Sequence, residues 1–376
     1  GIMESGMEEN TFIRAMYFIT KKVEKPLGRW SQDLVMMMVT HVDGLAWSDT
    51  PESHSIIQYI KGKFPIDKEA TGGFKFTGHE IKQDEDFTVH VKCRDTTLKM
   101  GMVHIEHGKR KEQDRKATTE EYDQFRSVNG SLIWIARVCR PDVSYRVSAL
   151  QQRVKELAVS DLRECNKVVE FAKEDPDKGL TFKSGVLDWK SMCVGTVTDA
   201  SQGEEEWVEE MQALEPYRSQ GGRLNVLATM DLVQGEECHF HLISWASQII
   251  KRVVRATIQG EAYQLQTGVE SGDILRAAVA YMFKAVGRDW EADAAAFMKH
   301  VWVSDCESVV SALNRSVLGK IQDKRLGIEL AAMRQSLWRV PGTAKGDPRM
   351  DDERTADATD VCLWVDTDVM LADPLS

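Results

Sequence analysis

Paired cysteines, long apolar runs and a surplus of positive charge are all missing from this 376-residue chain. Each absence excludes something. The seven cysteines (Cys93, Cys139, Cys165, Cys193, Cys238, Cys306 and Cys362) stand singly, without a CxxC pair, which argues against a disulfide framework and for a reducing compartment. Apolar runs such as Leu34 to Val39 are far too short to cross a bilayer, and no charged-then-apolar leader opens the sequence. Neither membrane insertion nor export is expected. The 42% hydrophobic content excludes a disordered or fibrous class and suffices, at this length, for two or three packed domains. The expectation is a globular intracellular protein.

Charge is unevenly shared. Residues 1–190 hold 30 Lys+Arg and 30 Asp+Glu, whereas residues 191–376 hold 18 against 29 and carry the whole net charge of −11. An acidic half repels phosphate unless cations bridge the two. Any grip on nucleic acid must then come from metal ions or from the first half. That half has a basic cluster, Lys109, Arg110, Lys111, Arg115 and Lys116, which reads more simply as a solvated loop than as a nucleic-acid grip.

Hydrophobic periodicity sketches the elements. Leu34 to Val42 and Leu45 to Trp47, joined at Asp43-Gly44, predict a hairpin, since Asp-Gly favours a type I′ turn. A second strand pair is predicted within Gly73 to Lys92. The period then becomes helical over Thr119 to Gln151 and Ser160 to Lys173, with Val128, Leu132 and Ile135 on one stripe and Leu162, Val168 and Phe171 on another. Asp161 is a candidate cap for the second helix, which Asp175-Pro176-Asp177 ends. From about Leu187 the pattern predicts a strand running into Asp199, a strand from His239 to Trp245 and a long helix from Glu261 to Val286. A strand from His300 to Ser304 runs into Asp305. An amphipathic helix carries Leu326, Leu330, Met333 and Leu337, and a last strand spans Val361 to Val365. The polar stretch from Thr343 to Asp360 reads as a loop, and Glu204, Glu205, Glu206, Glu209 and Glu210 as a solvated face.

Four acids, Asp199, Glu261, Asp305 and Asp373, stand at strand ends or helix starts in the second half. Clustered carboxylates suit divalent metal, because Mg²⁺ takes hard oxygen ligands. Each acid also has a plainer explanation. Asp199 could form a turn, Glu261 could favour a helix dipole and Asp305 could cap the helix from Cys306 to Leu313. Asp373 has Asp366 and Asp368 nearby. Cys238, His239 and His241 are weaker metal candidates, since strand alternation puts Cys238 opposite both histidines. Trp134, Trp245, Trp302 and Trp364 read as core residues.

Short stretches in a fixed order carry a resemblance. His41-Val42-Asp43-Gly44 resembles a YVDD polymerase turn, and Phe76-Thr77-Gly78-His79-Glu80-Ile81 resembles an FLGIEI strand. Phe125 to Leu132, with Arg140-Pro141-Asp142-Val143, resembles a YRSLVGSL and RPDI segment. Thr198-Asp199-Ala200, Arg218-Ser219-Gln220-Gly221-Gly222, Ile243-Ser244-Trp245 and Ala372-Asp373-Pro374-Leu375-Ser376 resemble the DA, RSTSGG, ISW and AD-L-T landmarks. Together they resemble the C-terminal part of a copia-type LTR retrotransposon Pol polyprotein, a reverse transcriptase region followed by ribonuclease H.

The resemblance implies an α/β chain in three parts. These are a truncated palm remnant (1–115), a helical connection (116–186) and a ribonuclease H-like domain (187–376) with a mixed five-stranded sheet and flanking helices. It implies Asp199, Glu261, Asp305 and Asp373 as catalytic metal ligands, Mg²⁺ or Mn²⁺ as cofactor, an RNA–DNA hybrid and the rest of the polyprotein as partners, and a cytoplasmic particle or the nucleus as location. Polymerase activity is not expected, since Gly44 stands where the turn's second metal-binding aspartate should be and the early aspartate precedes this sequence. No histidine follows His300, so a flexible catalytic histidine near the last aspartate is not expected either. The rival expectations are a non-catalytic relic that binds nucleic acid and a fragment of an active reverse transcriptase.

Overall fold

The computed structural model describes residues 7–10, 13, 16–27, 30–42, 44–105, 114–201, 219–315, 318–338 and 358–376. Asp43, Lys109, Arg110, Lys111, the run Glu204 to Glu210, Arg218 and most of the stretch after Thr343 lie outside the described residues.

Strands β1 (Glu8–Glu9), β2 (Met16–Leu27), β3 (Trp30–His41) and β4 (Gly44–Asp49) form an antiparallel sheet in that order. Helix α1 (His54–Lys63) packs Ile57 and Ile60 against Met36 and Met38. The β3–β4 turn departs from expectation. His41 pairs with Gly44, so Gly44 is the first residue of β4 and not a turn residue. Gly44 enters the strand, where a Cβ would stand 3.2 Å from the Phe76 ring.

The stretch expected to hold one strand pair holds three strands, β5 (Gly73–Phe76), β6 (His79–Gln83) and β7 (Val89–Lys92). β8 (Leu180–Phe182) returns to pair with β7 and completes a second antiparallel sheet. Between β7 and β8 lie α2 (Arg94–Lys99), α3 (Thr119–Val138), α4 (Ser144–Gln152) and α5 (Val159–Glu174). A reciprocal cap opens α3: the Thr118 hydroxyl accepts from the Glu121 N–H at 3.3 Å, and the Glu121 carboxylate accepts from the Thr118 N–H at 2.9 Å.

The single helical stretch expected from Thr119 to Gln151 is broken before α4, because Pro141 lacks an N–H and clashes with a continuing helix. Arg140, buried at the break, donates to the carbonyls of Ala172 and Asp175 at 3.1 and 2.9 Å. Val128, Leu132, Ile135, Leu162 and Val168 are core residues as expected. Phe171 is not: it is 38% exposed, with the Arg146 guanidinium 5.8 Å from its ring centre, while Val169 and Ala172 face the core. Asp161 secures the start of α5 from within its first turn, accepting from the Ala158 N–H at 2.9 Å.

The third sheet comprises β9 (Met192–Ser201), β10 (Gln220–Thr229), β11 (Phe240–Ile249), β12 (His300–Ser304) and β13 (Asp360–Trp364), in the order β11-β10-β9-β12-β13. The first three are antiparallel, whereas β9, β12 and β13 are parallel. This is the mixed five-stranded sheet with flanking helices that the sequence leads one to expect. Its helices are α6 (Asp231–Gln234), α7 (Thr257–Met282), α8 (Trp290–Phe297), α9 (Glu307–Asn314) and α10 (Lys324–Leu337). Residues Leu265, Val309 and Leu330 of α7, α9 and α10 pack over Trp302, and Leu326, Met333 and Leu337 join them as expected. Across the sheet, Cys193, Val197 and Leu224 meet Met370, Ala372 and Leu375.

Neighbouring parts are joined by specific bonds. The Trp245 indole N–H donates to the Ala136 carbonyl at 2.7 Å, and Asn10 donates to the Ala278 carbonyl at 2.9 Å. Phe18 of β2 sits in the core formed by Ala277 and Ala280 of α7. Among the described residues, no helix is long and apolar enough to cross a membrane.

Candidate metal centre

Asp199, Glu261 and Asp305 come together. One carboxylate oxygen from each lies within 4.8 Å of the others. The parallel register explains two of them. Val303 of β12 pairs with Val197 of β9, so two residues later both strands deliver an aspartate at the same level on the same sheet edge. The third arrives because α7 presses closely on β9. A Cβ at Gly268 would stand 2.5 Å from Thr198 Cγ2, and one at Gly272 would stand 2.4 Å from Thr196 Oγ1. Only residues without side chains permit this approach, and it brings Glu261, in the second turn of α7, against the end of β9. The Ala200 N–H donates to Glu261 Oε1 at 3.2 Å.

Asp199 lies inside β9, paired with Gly222, and not in a turn. Glu261 lies beyond the first turn of α7, where the helix dipole acts most strongly. Asp305 does not cap α9, whose N-cap is Cys306. Its Oδ2 instead accepts from the Thr367 hydroxyl at 2.8 Å.

Electrostatics sets the cluster apart. Among the described residues, no lysine or arginine pairs with any of the three acids, and the buried Glu261 Oε2 has no hydrogen-bond partner. Burial, reinforced by the Asp199 and Asp305 charges, pushes the Glu261 carboxyl up to about 9. Burial also raises Asp199, while the Ser376 hydroxyl donating to its Oδ2 opposes that rise. Three oxygen ligands, an orphaned buried acceptor and an uncompensated negative charge suit a hard divalent cation. Asp373 stands beside this trio and outside it. It opens a short 3₁₀ turn, exposed, close enough for its charge to raise Asp199 further.

A second acidic group escapes sequence reasoning. Asp273, His300 and Asp360 also offer ligand atoms within 4.8 Å of one another. Arg276 already fills the cationic place, bonding Asp360 at 2.5 Å and Asp273 at 2.6 Å. His300 bridges Asp273, at 3.0 Å from its Nδ1, and Thr196, at 2.8 Å from its Nε2. This is an internally ion-paired network, with one guanidinium shared by two carboxylates. Its only local signal in the sequence is Asp273 and Arg276 one turn apart on α7.

Cys238, His239 and His241 form no such group among the described residues. His241 packs edge-on against Phe182 at 5.5 Å. Trp302 is fully buried and Trp245 half-buried, but Trp364 departs from the core reading: it is 50% exposed, with its indole N–H donating to the Asp305 carbonyl at 2.8 Å. An apolar strand segment carries no hint of that, because exposure at Trp364 follows from the edge position of β13, where it pairs with Ser304 at the strand's end.

No protein-family model matches the chain, and no curated protein matches it in sequence. Solved structures offer distant likenesses. The N-terminal ribonuclease H domain of a Mycobacterium tuberculosis protein, fused to maltose-binding protein, is 15% identical with a TM-score of 0.27, over 50% of this chain and 91% of that one. A foamy viral protease-reverse transcriptase in complex with double-stranded DNA is 9% identical at a TM-score of 0.42, over 88% of this chain and 46% of that one. A second such complex is 11% identical at 0.39, over 88% and 55%. The chain thus spans about half the length of the foamy viral proteins. With likenesses this distant, the chemistry of the site is read from its own atoms.

Proposed function

We propose that this chain is the ribonuclease H part of a copia-type retrotransposon polyprotein, hydrolysing the RNA strand of RNA–DNA hybrids with Mg²⁺ or Mn²⁺. One observation carries the reading: three carboxylates from β9, α7 and the end of β12 converge within 4.8 Å, with a buried oxygen unpartnered. Asp199, Glu261 and Asp305 would hold the metal ions, with Asp373 as a fourth ligand from the adjacent turn. A pair of divalent cations held there would supply activation of water and neutralisation of charge at the scissile phosphate. The chain's own residues do the rest. The trio gathers the negative charge that draws cations to an acidic half, and Glu261 gives up its proton when they arrive. Hydrolysis leaves a 3′-hydroxyl and a 5′-phosphate.

Residues 1–115 read as a palm remnant and 116–186 as its helical connection. No polymerase activity is expected, because Gly44, at the start of β4, offers no carboxylate. A labelled RNA–DNA hybrid incubated with the purified chain tests the proposal. RNA-strand cleavage that requires Mg²⁺ and disappears in Asp199→Asn supports it. Retention of the hybrid without cleavage supports the relic, a reading favoured by the exposed place of Asp373 outside the trio.

A further inference from the structure

The stretch that follows β13 touches two of the three carboxylates, each through a hydroxyl. Thr367 Oγ1 donates to Asp305 Oδ2 at 2.8 Å, and Ser376 Oγ donates to Asp199 Oδ2. The third carboxylate is tied in a similar way, Glu261 Oε1 accepting from the Ala200 N–H. Every member of the trio thus has one oxygen engaged by a protein donor.

This stretch is built into the fold. Met370, Ala372 and Leu375 are buried against the sheet face that carries Val197 and Leu224. Gly222, the register partner of Asp199, makes the approach possible: a Cβ there would stand 2.7 Å from the Ala372 carbonyl oxygen and from Leu375 Cβ. Two further bonds set the path. The Trp364 indole fixes the Asp305 carbonyl, and the Asp366 carboxylate accepts from the Asp368 N–H at 3.0 Å, holding the turn that presents Thr367.

We infer that Thr367 and Ser376 are positioning residues of the metal centre, each fixing one oxygen of a carboxylate so that the other is presented to a divalent cation. The inference rests on the metal-binding reading of Asp199, Glu261 and Asp305. A hydroxyl donor suits this task, because it orients a carboxylate without adding the positive charge that would compete with the metal. Thr367 is exposed, so its hydroxyl can be removed without opening the core.

Isothermal titration of the full chain with Mn²⁺ alone tests this. Removing such an outer partner weakens metal binding by about 10–100-fold. Thr367→Val and Ser376→Ala should each weaken Mn²⁺ binding by about tenfold or more, while Thr367→Ser, which keeps the hydroxyl, should bind within about twofold of the parent. The metal-free melting temperature of Thr367→Val should move by no more than about 2 °C, as for other surface substitutions. Parent-like Mn²⁺ binding by both Thr367→Val and Ser376→Ala overturns the positioning role and leaves the carboxylate site standing. Absence of Mn²⁺ binding by the parent chain overturns both.

Discussion

Two acidic clusters lie beside the third sheet, both with three ligand-capable side chains within 4.8 Å, and one holds His300 and an arginine where the other holds a third carboxylate. Around Asp273 and Asp360, Arg276 supplies the opposite charge from inside the protein. Around Asp199, Glu261 and Asp305, no basic side chain among the described residues pairs with the acids. Proximity of acids therefore does not define a metal site; the missing counter-charge does. The first cluster holds its own cation and leaves only a donor, the Arg276 Nε, unpartnered among its buried side-chain atoms, while the second keeps an unsatisfied acceptor oxygen and a carboxyl pushed up to about 9.

Substitutions can break this contrast from either side. The largest effect expected is on catalysis: Asp199→Asn or Asp305→Asn should reduce Mg²⁺-dependent cleavage of a labelled hybrid to background, with folding by circular dichroism unchanged. Next is Arg276→Met, which strands two acids in the core and should cost about 3–5 kcal/mol in denaturant unfolding. The same substitution should leave Mn²⁺ binding per folded molecule unaltered; loss of that binding would join the two clusters and sink the comparison.

Smaller effects sharpen it. Saturating Mg²⁺ should raise the melting temperature on the order of 5 °C, as expected for a cation held about 100-fold above its dissociation constant. Asp199→Asn combined with Asp305→Asn should abolish the rise, and a flat melting curve for the parent would count against any metal site. The pH dependence follows from Glu261. Its folded value, about 9, exceeds its ordinary 4.5, so the metal-free fold binds an extra proton between those limits. That contribution to stability is whole below about 4.5 and is lost as pH rises toward about 9. Chemical denaturation of the metal-free chain should show this fall, and Glu261→Gln should flatten it. With Mg²⁺ bound the fall should vanish, since the ion takes the proton's place.

Much of this was legible in the sequence because strand and helix periodicity are local. The strand from His300 to Ser304 falls where expected, and the stripe Leu326, Leu330, Met333 and Leu337 faces the core. Failures occurred where a distant partner decided the outcome. Asp-Gly favours a turn, yet Gly44 pairs with His41 as the first residue of β4, beside the Phe76 ring. Phe171 fits a helical stripe, yet the core beneath α5 is closed by Val169 and Ala172. Trp364 resembles a core residue until β13 is found at the edge of its sheet. Thr367 carries no signal and Ser376 only its place at the end of the AD-L-T landmark, since a hydroxyl's role becomes visible only when a carboxylate stands opposite.

The sequence by itself determined which residues are acids at strand ends, where the apolar faces fall, and that Gly44 carries no ligand. Tertiary structure decided which acids meet and which are neutralised. The reason is range. A repeat of two or 3.6 residues is written within a few neighbours, but the register of Val197 with Val303, the closeness of α7 at Gly268 and the insertion of Arg276 join segments far apart in the chain.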